Sequence, residues 1–144
     1  MGELVQQNPY YNVGLNVNGF LNVLETARLF NINKLVYTST GAVYGEAKGT
    51  VSEEQPVVPA DLYSSTKISC EYIGFQYAKL FNLDFRVARV YFVYGHGKYP
   101  SKFINLYKIA FGALEGLTEL NIESGGDQRL DFTYADWLKK QREH

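Results

Sequence analysis

From Pro9 to Tyr91 the apolar residues run first at helical spacing, then at strand spacing, then helical and strand again, an order that leaves few folds open. Asn8-Pro9 reads as a helix start, and Val13, Val17, Phe20, Leu24 and Ala27 follow at four- and three-residue steps, which predicts one buried helical face. Asn31-Ile32-Asn33 closes that helix, and Lys34-Leu35-Val36-Tyr37-Thr38-Ser39 is a β-favouring run ending in hydroxyls. Gly45 to Ala60 carries Gly49, Pro56 and Pro59 and reads as a loop, with Asp61 placed to cap a second helix from about Leu62 to Phe81. That helix has Leu62, Thr66, Ile73 and Leu80 on one side and Ile68, Tyr72 and Phe75 on another, so it has two things to pack against. Asn82-Leu83-Asp84 turns the chain into a second strand, Phe85 to Tyr91, which leads to the glycine-rich Tyr94-Gly95-His96-Gly97. Helix, strand, helix, strand implies a parallel α/β unit. A third helix is predicted from about Ser101 to Glu115, a strand from Leu117 to Ile122 and a turn at Gly125-Gly126-Asp127, followed by a short apolar piece and a charged tail.

A chain of 144 residues with 46% hydrophobic residues is long enough for one domain with a core and too short for two full ones. Fourteen Lys and Arg against fifteen Asp and Glu leave no broad basic field of the kind that binds nucleic acid or anionic lipid, so small molecules or proteins are the expected partners. One cysteine, Cys70, forms no intramolecular disulfide, and neither a membrane-spanning run nor a signal-peptide pattern occurs, so the expected location is cytoplasmic. Cys70, His96 and His144 lack metal-ligand spacing, and no metal is expected.

Tyr-x-x-x-Lys has a physical rationale only on a helix, where residues four apart share a face. The pattern occurs three times, at Tyr44/Lys48, Tyr63/Lys67 and Tyr94/Lys98. Tyr44 and Tyr94 each precede a glycine in predicted loops, so only Tyr63/Lys67, in the first turns of a long helix, has fixed geometry. A free tyrosine titrates at about 10, and a lysine ammonium beside it favours the phenolate, making it a better base. The alternative is a surface tyrosine beside a solvated lysine. Thr38-Ser39-Thr40-Gly41 leaves the carboxyl end of the first strand, where open α/β sheets place ligands, though strand-end hydroxyls also serve as caps and turn residues.

In this order the blocks resemble the extended short-chain dehydrogenases/reductases, the NAD-dependent epimerase/dehydratase family, from about Pro9 to Asp136. Asn16-Val17-Asn18-Gly19 with Asn22-Val23-Leu24-Glu25 is similar to the helix before the family's active-site strand, and Asn16 sits at its active-site asparagine. Lys34 to Gly45 resembles the strand and loop that supply the catalytic Ser or Thr, which makes Thr40 the catalytic hydroxyl. Glu54-Gln55-Pro56, Pro59, Tyr63-Ser64-Ser65-Thr66-Lys67 and Glu71 resemble the start of the catalytic helix; Arg89 through Val93-Tyr94-Gly95 resembles the next strand and loop; Gly126 to Tyr134 resembles a later substrate-side motif.

The resemblance implies an α/β, partial Rossmann-like parallel sheet with flanking helices: residues 1–100 as the C-terminal half of an NAD-binding domain and residues 101–144 as the start of a substrate-binding region. It implies an NAD(P)-dependent sugar-nucleotide epimerase or related reductase in which Thr40, Tyr63 and Lys67 are catalytic. Tyr63, Lys67, Asn16, Thr38, Ser39 and Tyr91 would contact NAD or NADP, and Thr40, Phe92 and Arg129 a nucleotide-sugar-like substrate. It also implies a homodimer packed through helices 9–30 and 62–81. By that alignment the chain begins after the family's first strands, and no G-x-G-x-x-G occurs in it, so the alternative expectation is an inactive truncated fragment or a dimerising remnant. Phe92 stands where the family usually has an asparagine. Thr40-Gly41-Ala42 replaces the Thr-Asp-Glu of sugar 4,6-dehydratases, which favours epimerase or reductase over dehydratase. Arg129 falls one place earlier than the family's usual arginine.

Overall fold

The computed structural model describes residues 8–46, 49–95, 116 and 131–135. The predicted helix 101–115, the predicted strand 117–122, the turn at 125–127, His96, Gly97 and Arg129 lie outside the described residues. The chain divides into two units, Met1–Tyr91 and Phe92–His144.

In the first unit Asn8 accepts the amide of Tyr11 at 3.0 Å and starts α1 (Pro9–Val13), with Pro9 in the first turn, where its missing N–H costs no hydrogen bond. The sequence predicts one regular helix over residues 9–30. A π-helical turn, Gly14–Asn18, instead separates α1 from α2 (Gly19–Leu29). Phe20, Leu24 and Ala27 are buried as expected, but Val13 is 37% exposed. The wider turn accommodates one extra residue, which rotates everything before it by about 100° off the buried stripe. After α2 the chain reverses at Asn31, which has a left-handed φ of 52°, and Ile32 returns its amide to the Ala27 carbonyl at 2.9 Å.

The strands β1 (Lys34–Thr40) and β2 (Asp84–Val90) pair in parallel, and α3 (Leu62–Phe81) is the crossover between them. Asp61 is the N-cap the sequence predicts. It accepts the Ser64 amide at 2.7 Å while Ser64 Oγ accepts the Asp61 amide at 3.2 Å, so two otherwise unpaired donors are satisfied reciprocally. At the other end Asn82 closes the helix at φ 52°. The register sets Leu35 beside Phe85, Tyr37 beside Val87 and Ser39 beside Arg89 on the helix-covered face. Phe20, Leu24, Cys70 and Phe85 form the main core with Leu35, Tyr37 and Val87 packed on it. A second cluster of Val43, Tyr44 and Ile68, with Val51, Val57 and Tyr91, lies under the loop after β1.

The inward face of α3 agrees with the expected stripes at Thr66 and Ile68, which are buried, and at Ile73, which packs on the core, and departs from them elsewhere. Its buried residues are Ser64, Thr66, Ile68, Cys70, Glu71 and Gly74, while Tyr72 and Leu80 are largely exposed. Small side chains let this helix approach the sheet closely. A Cβ on Gly74 would stand 2.2 Å from Cζ of Phe85, so the phenyl ring occupies the place of the missing side chain.

In the second unit β3 (Phe92–Tyr94) and β4 (Phe132–Tyr134) pair in parallel, Phe92 beside Phe132 and Tyr94 beside Tyr134, and the Phe92 amide donates to the Asp131 carbonyl at 3.1 Å. The sequence predicts no strand at 132–134. Three residues are too short to show a period, and the partner strand lies about forty positions earlier.

Candidate active site

Lys67 reaches from α3 to β1 and donates from Nζ to the Thr38 carbonyl at 2.8 Å. This bond fixes the height of the helix against the strand. Because β1 and β2 are parallel, α3 runs antiparallel to both, with its N-terminus at their carboxyl ends. Tyr63 is four residues before Lys67, about 6 Å higher at 1.5 Å per helical residue. Thr40 is two residues past Thr38, about 6.6 Å higher at ~3.3 Å per strand residue. Tyr63 and Thr40 therefore both lie toward the carboxyl end of the sheet, with Lys67 one turn further along the helix.

Lys67 Nζ also lies 4.8 Å from the ring centroid of Tyr37 and 5.9 Å from that of Tyr63, both within cation–π reach. Tyr37 is a contributor the sequence reading left among the strand residues. The alternation that puts it on the helix-covered face with Leu35 is the signal that could have found it. Burial lowers the Lys67 ammonium below its usual value. The sequence predicts a Tyr63 phenolate favoured by Lys67. In the structure burial, and after it the Asp61 carboxylate, push the Tyr63 phenol above its ordinary value, while Lys67 is engaged with Thr38.

Thr40 begins a 3-10 turn, Gly41–Tyr44, and its Oγ1 accepts the Ala42 amide at 3.2 Å. Thr38 stands exposed and offers its carbonyl to Lys67. Ser39, expected to contact cofactor, faces the core: it is 2% exposed and its Oγ donates to Glu71 Oε1 at 2.5 Å. Strand alternation turns it away from its two threonine neighbours. Asn16, in the π-helical turn, donates its amide to Thr66 Oγ1 at 3.0 Å and to Asn12 Oδ1 at 3.1 Å, which joins the first helical stretch to α3. Tyr91 packs its ring over Gly41, where a Cβ would come within 2.3 Å of it. Phe92 lies in β3 with its ring 6.2 Å from that of Phe132.

The order of elements in this parallel βαβ unit matches a known family. Residues 5–136 match the model of the NAD dependent epimerase/dehydratase family. The chain belongs to that family. Among its relatives, the UDP-glucuronate 4-epimerase of Thermodesulfobacterium geofontis is 33% identical over 134 residues, 90% of this chain and 40% of that enzyme. The chain thus spans about two fifths of the length of such relatives. Among solved structures of the fold, the UDP-glucuronic acid 4-epimerase of Bacillus cereus, in complex with UDP-glucuronic acid and NAD, superposes with a TM-score of 0.72 at 32% identity, covering 86% of this chain and 38% of that one. The Thermus thermophilus UDP-glucose 4-epimerase in complex with NAD gives a TM-score of 0.79 at 26% identity, over 97% and 48%. The architecture is therefore a Rossmann-like α/β fold matched over less than half of each neighbour. No described helix is long and apolar enough to cross a membrane.

Proposed function

We propose that this chain carries the acid–base half of an NAD-dependent sugar-nucleotide epimerase. The Lys67–Thr38 bond, which ties the helix bearing Tyr63 to the strand that ends at Thr40, carries the reading. The donor set suits the nicotinamide-ribose end of the cofactor. Lys67 has three N–H donors, of which Thr38 takes one, and the phenol and hydroxyl of Tyr63 and Thr40 stand at the carboxyl end of parallel strands, where this fold class receives ligands. No G-x-G-x-x-G that would hold the pyrophosphate occurs in the sequence. What NAD supplies when bound is the uptake and return of a hydride at the sugar carbon.

Tyr63 moves the proton of the reacting sugar hydroxyl through its phenolic oxygen, and Thr40 Oγ1 hydrogen-bonds the same oxygen and holds it in place. Lys67 holds ribose hydroxyls and stabilises the phenolate when it forms. With burial holding the phenol protonated, Tyr63 is at rest an acid, and its use as a base needs a positive neighbour. The substrate class, a UDP-sugar, follows the relatives and neighbours. The reading extends to a homodimer packed through helices 9–30 and 62–81, supported by exposed Leu15, Val23, Tyr72, Phe75 and Leu80 on those segments.

Turnover of UDP-glucuronate and UDP-glucose is measured with added NAD for the full chain and for Tyr63→Phe. The expected loss is about 10²- to 10⁴-fold. Equal turnover in the variant removes Tyr63 from the mechanism. No turnover in the parent chain favours the non-catalytic, dimerising reading, and light scattering then decides between dimer and monomer.

A further inference from the structure

A charged group is buried beneath the candidate site and takes no part in the chemistry above. Glu71 lies on α3 one turn past Lys67 and is 1% exposed. Arg89 of β2 meets its carboxylate with a bidentate fork, Nη2 to Oε2 at 2.7 Å and Nε to both oxygens at 3.1 Å. Ser39 of β1 donates a hydrogen bond from its hydroxyl to the same carboxylate. The remaining arm of the guanidinium, Nη1, donates to the Tyr44 hydroxyl at 2.6 Å, and its Cζ sits 5.0 Å from the Tyr44 ring centroid. One ion pair thus touches α3, both strands, and the last residue of the turn that Thr40 starts.

Stability alone does not call for this arrangement. Taking Glu71 fully out of water, and Arg89 largely so with its side chain 23% exposed, offsets much of their attraction, and well-packed apolar residues of similar volume often serve a fold as well. Apolar clusters already hold α3 to the strands and the turn to α3. What the ion pair adds is direction. Thr40 follows Ser39 and precedes the turn ending at Tyr44, so the backbone carrying its hydroxyl is tied on both sides to one guanidinium–carboxylate plane. The same carboxylate is four residues from Lys67, on the helix that sets Tyr63.

We propose that Glu71 and Arg89 are positioning residues, which fix the strand-end turn bearing Thr40 against the helix bearing Tyr63 and Lys67. The proposal rests on the catalytic reading given above. Arg89 is required as a fork: a lysine supplies charge without the two parallel bonds and the third arm to Tyr44.

The test replaces both charges together, Glu71→Met with Arg89→Met, so that neither is left buried alone. The thermal midpoint is expected to hold, and the KM for the UDP-sugar to stay within about threefold. kcat is expected to fall about 10²-fold, the loss that a displacement near 1 Å brings. Hydrogen exchange is read alongside, because it needs no turnover. The Ala42 and Gly45 amides, bonded within the turn, are expected to exchange at least tenfold faster, with those of Val36 and Tyr37 in β1 unchanged. Unchanged kcat together with unchanged turn exchange overturns the proposal, as does a fall in stability with kcat retained. If the double variant does not fold, Tyr44→Phe, which removes one hydroxyl and keeps the ring, is put through the same measurements, and wild-type kcat with wild-type Gly45 exchange is the overturning result. A parent chain without turnover fails the catalytic reading, and exchange in the turn then decides the positioning claim by itself.

Discussion

Gly41 follows Thr40 at the start of the turn, and a methyl group added to it would lie 2.3 Å from Cε1 and Cζ of Tyr91 and 2.5 Å from Cδ1. Its φ is not left-handed, so alanine meets no backbone strain there and the outcome depends on space alone. Carbon atoms sit comfortably at about 3.5 Å or more, so Gly41→Ala must open a gap of roughly 1.2 Å. Tyr91 is packed against Val43, Tyr44 and Ile68 and has little room to withdraw. The turn therefore takes the displacement, and Thr40 moves with it. Overpacking of this kind costs about 1–3 kcal/mol, and about 1 Å of misplacement at a reacting group costs up to ~10²-fold in rate. Urea unfolding followed by circular dichroism reads the first quantity, and UDP-sugar turnover reads the second. Tyr91→Leu removes the ring, and in that background the alanine is expected to lose most of its penalty, giving a coupling of about 1 kcal/mol or more. A Gly41→Ala chain within about 0.5 kcal/mol of the parent and fully active, or a cycle without coupling, would refute the steric argument.

Gly74→Ala tests the same logic in the core: helix propensity favours alanine by about 1 kcal/mol, but a Cβ 2.2 Å from the Phe85 ring outweighs it, and urea unfolding is expected to show net destabilisation. Asp61→Ala removes the N-cap of α3, at a cost of about 0.5–2 kcal/mol. It also lowers the Tyr63 titration, because the Asp61 charge is, after burial, what holds that phenol up; phenolate difference absorbance against Tyr63→Phe reads the shift. Tyr63 also makes stability depend on alkaline pH. Its folded value lies above the unfolded value of about 10, so its contribution is full below pH ~10 and is lost as pH rises through the folded value. Tyr63→Phe should unfold with a shallower alkaline dependence than the parent, and identical slopes would contradict the burial of that phenol.

The elements legible in the sequence were those whose local chemistry and long-range packing agree. Asp61 and Ser64 announce the start of α3, and the β-branched run at Lys34 has only one way to be used, so both elements appear within a residue of expectation. The π-helical turn had no such signal, since Val13, Val17 and Phe20 keep helical spacing through it and only tertiary packing reveals the extra residue. Glu71 was visible as a residue matching the family's catalytic helix, yet its role was hidden, because a glutamate on a helix reads as solvated until Arg89 and Ser39 arrive from two other elements.

The inward face of α3 explains both what was missed and what the site requires. Apolar periodicity points to Tyr72 and Leu80, which remain exposed, whereas the buried residues of α3 are mostly small, Ser64, Thr66, Cys70 and Gly74 beside Ile68 and Glu71. A face lined with leucines would stand farther from the strands, as helix spacing follows the size of the residues at the contact. At that distance the Lys67 side chain would not reach the Thr38 carbonyl at 2.8 Å, nor would Glu71 meet Ser39 and Arg89 together. The small residues that weaken the helix's hydrophobic signal are thus the ones that set the close spacing between the helix bearing Tyr63 and the strands. For that reason the Tyr63/Lys67 spacing alone says less about the site than the thinness of the helix that carries it.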